Sequence, residues 1–215
     1  MDCLVVDIDD TIIDTARRRW AVFREVLGFN ITLDEVNREG SKEILDKRSP
    51  RKLKKRNWST YWRVLLCFDK RGVKFLKYDE PKPMASQILK KLALRMKLIY
   101  LTSRTTNMRE LTIDELRRFK FPLESSELVM CDDLNLFIKD PTAMRRKLFS
   151  YIAGKYDVKA VIDDYPRYFQ VYREFKVPER IGLLRKPRFS VKEYLANGAT
   201  RVVKGWEELK DWPQP

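Results

Sequence analysis

Asp7, Asp9 and Asp10 stand close together at the end of an apolar run, in the stretch Leu4-Val5-Val6-Asp7-Ile8-Asp9-Asp10-Thr11. Such a run reads as a strand buried on both faces, the kind found in parallel sheets. In open α/β sheets the chemistry lies just beyond the carboxyl ends of the strands. Three carboxylates gathered there repel one another, and a cation among them relieves the repulsion. Mg2+ is the simplest choice because it prefers hard oxygen ligands. Asp7 and Asp9, two residues apart, can point to the same side as the strand runs out. One can then attack while the other handles a proton. Read without a metal, the same residues are an acidic turn in which Asp10 and Thr11 cap a following helix.

Composition narrows the chemistry. The chain has no histidine, so histidine triads, histidine proton shuttles and His-ligated zinc are excluded. Catalysis must run on carboxylates, hydroxyls, Lys, Arg or Cys. Cys3, Cys67 and Cys131 are odd in number and far apart, which reads as reduced thiols in a cytosolic protein. The start of the chain is acidic rather than basic and then apolar, and no apolar run reaches membrane-spanning length. A cytoplasmic protein without a membrane partner is expected. The formal net charge is +14, and residues 15–83 carry 19 Lys and Arg against nine Asp and Glu. A basic segment beside an acidic, metal-dependent apex suits an anionic substrate. A solvated surface rich in Lys and Arg is the plainer explanation.

The elements that must position these residues follow from the patterning. A helix is predicted from near Asp14-Thr15 to Gly28, with Trp20, Phe23, Val26 and Leu27 at helical spacing. A second helix starts at the capping-box pattern Thr32-Leu33-Asp34-Glu35 and carries Val36, Ile44 and Leu45. Residues 47–56 hold seven basic side chains and no acid, followed by Trp58, Trp62, Leu65 and Leu66 at helical spacing. Residues 15–80 therefore read as a small, mostly helical insert. Strand and helix then alternate. Pro83 opens a helix, residues 97–102 form a strand, and Thr112 to Glu115 make a capping box. Residues 128–130 are a strand, Asp140-Pro141 opens a helix ending near Gly154, and residues 158–162 are a strand ending in Asp163-Asp164. Pro166 begins a helix, residues 181–184 form a strand, and Ser190 to Glu193 make another capping box. A short strand at 201–203 and a helix around 206–212 close the chain. This rhythm argues an α/β fold, a parallel sheet covered on both faces.

If Asp7 accepts a phosphoryl group, that group's oxygens need a donor and a cation, and a metal needs more carboxylate than one strand supplies. Each should come from the carboxyl end of another strand. The second strand ends in Thr102-Ser103-Arg104, and the fourth in Asp163-Asp164. Asp7-Ile8-Asp9-Asp10-Thr11 resembles motif I of the haloacid dehalogenase-like phosphohydrolases, Asp-x-Asp-x-Thr. Thr102 resembles their motif II, and Asp163-Asp164 their motif IV. Lys139 stands where the motif III lysine is expected, with Arg145 and Lys147 as nearby substitutes. Aligned with the polynucleotide kinase-phosphatases, Asp140 matches and Met144 takes the lysine position. The resemblance covers the first strand and residues 83–184.

The resemblance implies a three-layer α/β/α Rossmann-like core at residues 1–14 and 81–215, with a C1-type helical cap at 15–80 after strand 1. It implies a Mg2+-dependent phosphomonoesterase acting on a phosphorylated small molecule. Asp7 would attack and form an aspartyl-phosphate, and Asp9 would protonate the leaving alcohol and then activate water. Thr102 and Lys139 would stabilise the phosphoryl oxygens, and Thr11, Ser103 and Arg104 would bind phosphate. Asp7, Asp9 through its carbonyl, Asp163 and Asp164 would hold the metal. The presence of Asp9 argues against a dehalogenase. The alternative substrate is a nucleic-acid 3′-phosphate, on the strength of the basic run and its aromatic neighbours. Trp58 and Trp62 read first as core of the insert, so nucleic acid is not the favoured partner. A phosphomutase or a non-catalytic basic binding protein completes the field.

Overall fold

The computed structural model describes residues 2–185 and 187–212. The strands are β1 (Asp2–Asp7), β2 (Ile13–Asp14), β3 (Glu80–Pro81), β4 (Lys97–Thr105), β5 (Glu127–Cys131), β6 (Asp157–Asp163), β7 (Glu179–Leu183) and β8 (Arg201–Val203). Six of them form one sheet in the order β5-β4-β1-β6-β7-β8, with every pair parallel. β2 and β3 pair separately as a two-residue ribbon. The chain runs outward from β1 through β4 to β5, then returns to β6 on the other side of β1. The order thus reverses at the central strand, and the crevice at such a reversal is where open sheets bind ligands.

Register decides what meets there. Asp7 lies opposite Leu101 on β4, and Val6 lies opposite Ile162 on β6. Thr102, Asp163 and Asp164 therefore leave the sheet at the same edge as Asp7. Alternate residues of the central strands serve two different cores. Cys3, Val5, Ile99, Leu101 and Val161 face one side, and Leu4, Val6, Leu98, Tyr100, Ala160 and Ile162 the other. Both sides are apolar, which explains the near-continuous apolar runs.

The chain divides into two compact units, one of them Asp14–Glu80 with Pro187 and Arg188. This unit holds α1 (Ala16–Glu25), α2 (Leu33–Arg38), α3 (Ser41–Arg48) and α4 (Lys54–Leu65), then a 3-10 helix at Lys70–Tyr78. Val22, Phe23, Val36, Ile44, Tyr61, Val64 and Phe75 form its core, with Trp58 and Trp62 packed against it. The capping box at Thr32 is present and satisfies N–H groups at the helix start. The single helix expected from Thr32 through Leu45 is two. Glu39 and Gly40 are extended, and Gly40 serves as N-cap of α3. Glycine's low helix propensity allows the break.

The other unit carries the sheet, α5 (Ala85–Ala93), α6 (Arg109–Arg118), α7 (Leu134–Lys139), α8 (Pro141–Lys155), α9 (Tyr168–Glu174) and α10 (Val191–Ala196). α8, α9 and α10 pack on one face of the sheet. α5, α6 and a terminal 3-10 helix at Trp206–Leu209 pack on the other. The capping box at Ser190 is present. The one expected at Thr112 is not: α6 begins three residues earlier, so Thr112 and Glu115 lie inside it. Pro83 precedes the start of α5 by two residues, and Met84 between them has φ 62°. No helix among the described residues is long and apolar enough to cross a membrane.

Candidate active site

The first strand ends in a tight turn that aims its acids. The Ile8 carbonyl accepts from the N–H groups of Thr11, Ile12 and Ile13, and the Trp206 indole donates to the Thr11 carbonyl at 2.9 Å. Asp10 takes φ 64° in this turn, a left-handed conformation that costs an ordinary residue about 1 kcal/mol. Its carboxylate meets Arg185 at 2.5 Å. Asp7 is buried. Its Oδ2 accepts from the Thr11 hydroxyl at 3.0 Å, and its Oδ1 from Arg145 Nη2 at 2.7 Å.

β6 delivers two further acids, each held differently. Asp163 accepts from the Tyr165 N–H at 2.8 Å and the Tyr172 hydroxyl at 2.5 Å, and lies 3.7 Å from Arg145 Nη1. Asp164 accepts from Arg185 at 3.1 Å, and its other oxygen lies 3.4 Å from the Thr11 hydroxyl. The Tyr194 hydroxyl fixes the Asp164 carbonyl at 2.5 Å. The Tyr194 ring packs so closely on β7 that a side chain at Gly182 would run into it.

Asp7, Asp163 and Asp164 each offer an oxygen within 4.8 Å of the others. Burial raises Asp7 well above the usual carboxylate range, the Asp163 charge adds to the rise, and Arg145 opposes it. Burial likewise raises Asp163, against Arg145. Asp164 is pushed up to about 7 by burial, with Arg185 opposing and Asp10 and Asp163 contributing. Three buried carboxylates this close together offer the hard oxygens that fit a divalent ion such as Mg2+. The Asp9 side chain is not in this cluster.

Asp9 turns instead toward β4. Arg104 grips it side-on, Nε at 3.1 and 3.0 Å from its two oxygens and Nη2 at 2.9 Å. Thr102 donates to Asp9 at 3.4 Å and accepts the Arg104 N–H at 3.0 Å. The Ser103 side chain lies beside the Tyr168 hydroxyl, which burial pushes up. Lys139 is exposed at the end of α7 and makes no ion pair among the described residues. Lys147 pairs with Asp132. The cation against Asp7 is Arg145, which also stacks over the Tyr168 ring at 4.1 Å.

No protein-family model matches the chain, and no curated protein matches it in sequence. Solved structures do match. A haloacid dehalogenase-like family protein from Streptococcus pneumoniae has a TM-score of 0.70 at 11% identity, over 99% of this chain and 98% of that one. A haloacid dehalogenase-family hydrolase from Deinococcus radiodurans, with bound phosphate and sodium, has a TM-score of 0.63 at 14% identity, over 98% and 94%. The chain has the haloacid dehalogenase-like fold. A hydrolase from Pseudomonas syringae, 19% identical, has a TM-score of 0.60 over 97% of this chain and 96% of that one.

Within this haloacid dehalogenase-like fold, Asp7, Thr11, Asp163 and Asp164 gather at one sheet edge, and Thr102 meets Asp9. Of the cations expected near Asp7, Arg145 meets it and Lys139 makes no such contact, because α8 buries the stripe Met144, Arg145, Leu148, Phe149 and Ile152, which turns Arg145 inward. That i, i+3, i+4 spacing is visible in the sequence. Arg104, expected to contact phosphate, spends its side-on edge on Asp9 and its Nη1 on Glu115 at 2.6 Å. Glu115 and Arg185 were missed. Glu115 passed for a cap residue, and Arg185 follows a strand with no motif around it.

Proposed function

We propose that the chain is a hydrolase of phosphoric monoesters that works through Asp7. The observation that carries this reading is the Asp7 carboxylate, held between Arg145 and Thr11 beside Asp163 and Asp164. Asp7 attacks phosphorus in line, the ester oxygen departs, and an aspartyl-phosphate forms. Asp9 gives a proton to the departing alcohol and takes one from the water that cleaves the intermediate. Thr102 and Ser103 offer hydroxyls to the phosphoryl oxygens, and Arg145 favours the ionised form of Asp7 against the burial that opposes it. A Mg2+ ion held by Asp7, Asp164 and the Asp9 carbonyl, with Asp163 supporting, would balance the negative charge of the transferred group. Asp14–Glu80 is read as the cap. Cys3, Cys67 and Cys131 form no disulfides, which supports a reducing, cytoplasmic setting. The substrate is read as a phosphorylated small molecule. Release of phosphate from an aryl phosphate tests the reading: Asp7→Asn or excess EDTA should abolish it, and survival of either treatment overturns it.

A second reading keeps the chemistry and takes a nucleic-acid 3′-phosphate. Arg51, Lys52, Lys55 and Arg56 are exposed and make no ion pairs among the described residues, whereas Lys47, Arg48 and Lys54 are paired with acids. Uncompensated adjacent cations favour a phosphate backbone. Trp58 and Trp62 pack against the core of their unit, which weakens a stacking role. Faster turnover of a 3′-phosphorylated oligonucleotide than of sugar phosphates supports this reading, and slower turnover removes it.

A further inference from the structure

A buried arginine in contact with a buried acid and a half-buried one is costly to assemble, and removing either acid strands its charge. Arg104 is such a residue: its side chain is 1% exposed. It leaves β4 where the pairing with β5 slips between Thr102 and Thr105. Irregularities of this kind re-aim side chains beside active sites. The guanidinium is then fixed from two sides. One edge grips Asp9 through Nε and Nη2. Nη1 reaches Glu115 at 2.6 Å and lies 3.4 Å from the Thr112 hydroxyl, both on α6. The other oxygen of Glu115 accepts from Arg118 at 3.3 Å. Of the two acids that Arg104 grips, Asp9 is the more accessible, its side chain 29% exposed against 3% for Glu115.

We propose that Arg104, anchored by Glu115, is a positioning residue that holds Asp9 in the orientation from which it serves the leaving group. The inference rests on the phosphomonoesterase reading. A planar fork fixes both carboxylate oxygens and so sets the plane of the acid as well as its place. An ammonium group cannot do this. Glu115 fixes the fork in turn, which gives a buried acid inside α6 a purpose that helix packing does not supply.

The test compares leaving groups in the full-length protein. Misplacing the group that protonates the departing oxygen should hurt an alkyl phosphate, a poor leaving group, more than 4-nitrophenyl phosphate, which departs without help. Glu115→Gln is expected to lower kcat on the alkyl ester by about tenfold, within the span attributed to proton transfer, with KM little changed. The loss on the nitrophenyl ester should be less than about threefold. Arg104→Lys keeps the charge and loses the fork, and should show the same pattern; it replaces Glu115→Gln should that variant not fold. Equal losses on both esters, or none, overturn the proposal. A crystal structure of the variant gives a readout independent of turnover. Asp9 should leave the plane it holds in the wild type, and an unmoved Asp9 also overturns the proposal. Absence of turnover in the wild type would instead count against the phosphomonoesterase reading, and the crystal structure would still decide the role of Arg104.

Discussion

Arg145 meets Asp7 at 2.7 Å, and Arg38 meets Asp34 at the same distance. The first pair is buried at the edge of the sheet, and the second lies on the exposed surface of α2, 61% and 65% exposed. Water and salt screen the exposed pair, and holding two long side chains together offsets most of its attraction. The buried pair gave up its hydration, and its attraction is unscreened. Both units hold pairs of each kind. Asp7, Asp9 and Asp164 each meet an arginine in the sheet unit, whose Arg117–Asp114 pair is exposed; in the helical unit Arg18 meets the buried Asp79 at 3.3 Å, while Arg71–Asp69 and Lys74–Glu25 lie on its surface. Buried pairs hold acids where the fold alone would not tolerate them, and at the sheet edge several of them gather beside Asp163.

The largest effect should come from Arg145. Arg145→Met leaves Asp7 and Asp163 facing each other without their cation, and should cost about 3–5 kcal/mol by denaturant unfolding. It should also remove phosphatase turnover. A loss no larger than that of a surface substitution would erase the distinction between the two kinds of pair. Titration gives a second, intermediate effect. Folding raises Asp164 to about 7 and Asp7 in the same direction. A raised carboxyl favours the protonated native state, so its contribution to stability is present below the unfolded value near 4 and is lost as pH rises toward 7. Without a divalent ion, Tm should fall between pH 5 and 7.5. Millimolar Mg2+ should recover it at the upper end, because the ion binds only the folded site. A Tm indifferent to Mg2+ at pH 7.5 counts against a metal at Asp7 and Asp164.

The smallest effects fall on residues outside the buried network. Lys139→Ala should leave kcat/KM within about twofold, since Arg145 supplies the cation. Arg38→Ala should leave Tm within about 1 °C. A large loss of activity in Lys139→Ala would restore the motif III assignment that sequence favoured.

What could be read in advance follows from how local each feature is. Parallel strands announce themselves because both faces are apolar, and Asp7 and Asp163 end two of them. Their meeting follows from strand register alone. Capping patterns were less secure. Thr32 and Ser190 cap helices, but the same spacing at Thr112 lies mid-helix, since Thr112 and Glu115 face Arg104 rather than a free helix end. Gly40 split a helix whose flanks look continuous. Lys139 was preferred for its distance from Asp163 and its place before the helix. The apolar stripe of α8 decides which cation turns inward, and it turns Arg145 toward Asp7. Arg185 has no sequence signal, because its role exists only once β7 brings its loop to Asp10 and Asp164.

The most direct measurement is a crystal structure of the chain grown with Mg2+ and beryllium fluoride, a mimic of a phosphoryl group on a carboxylate. The account predicts the fluoride complex on the Asp7 carboxylate and the ion against Asp7 and Asp164, at about 2.1 Å. An ion bound elsewhere, with Asp7 still paired to Arg145 and Thr11 and carrying nothing, would contradict it.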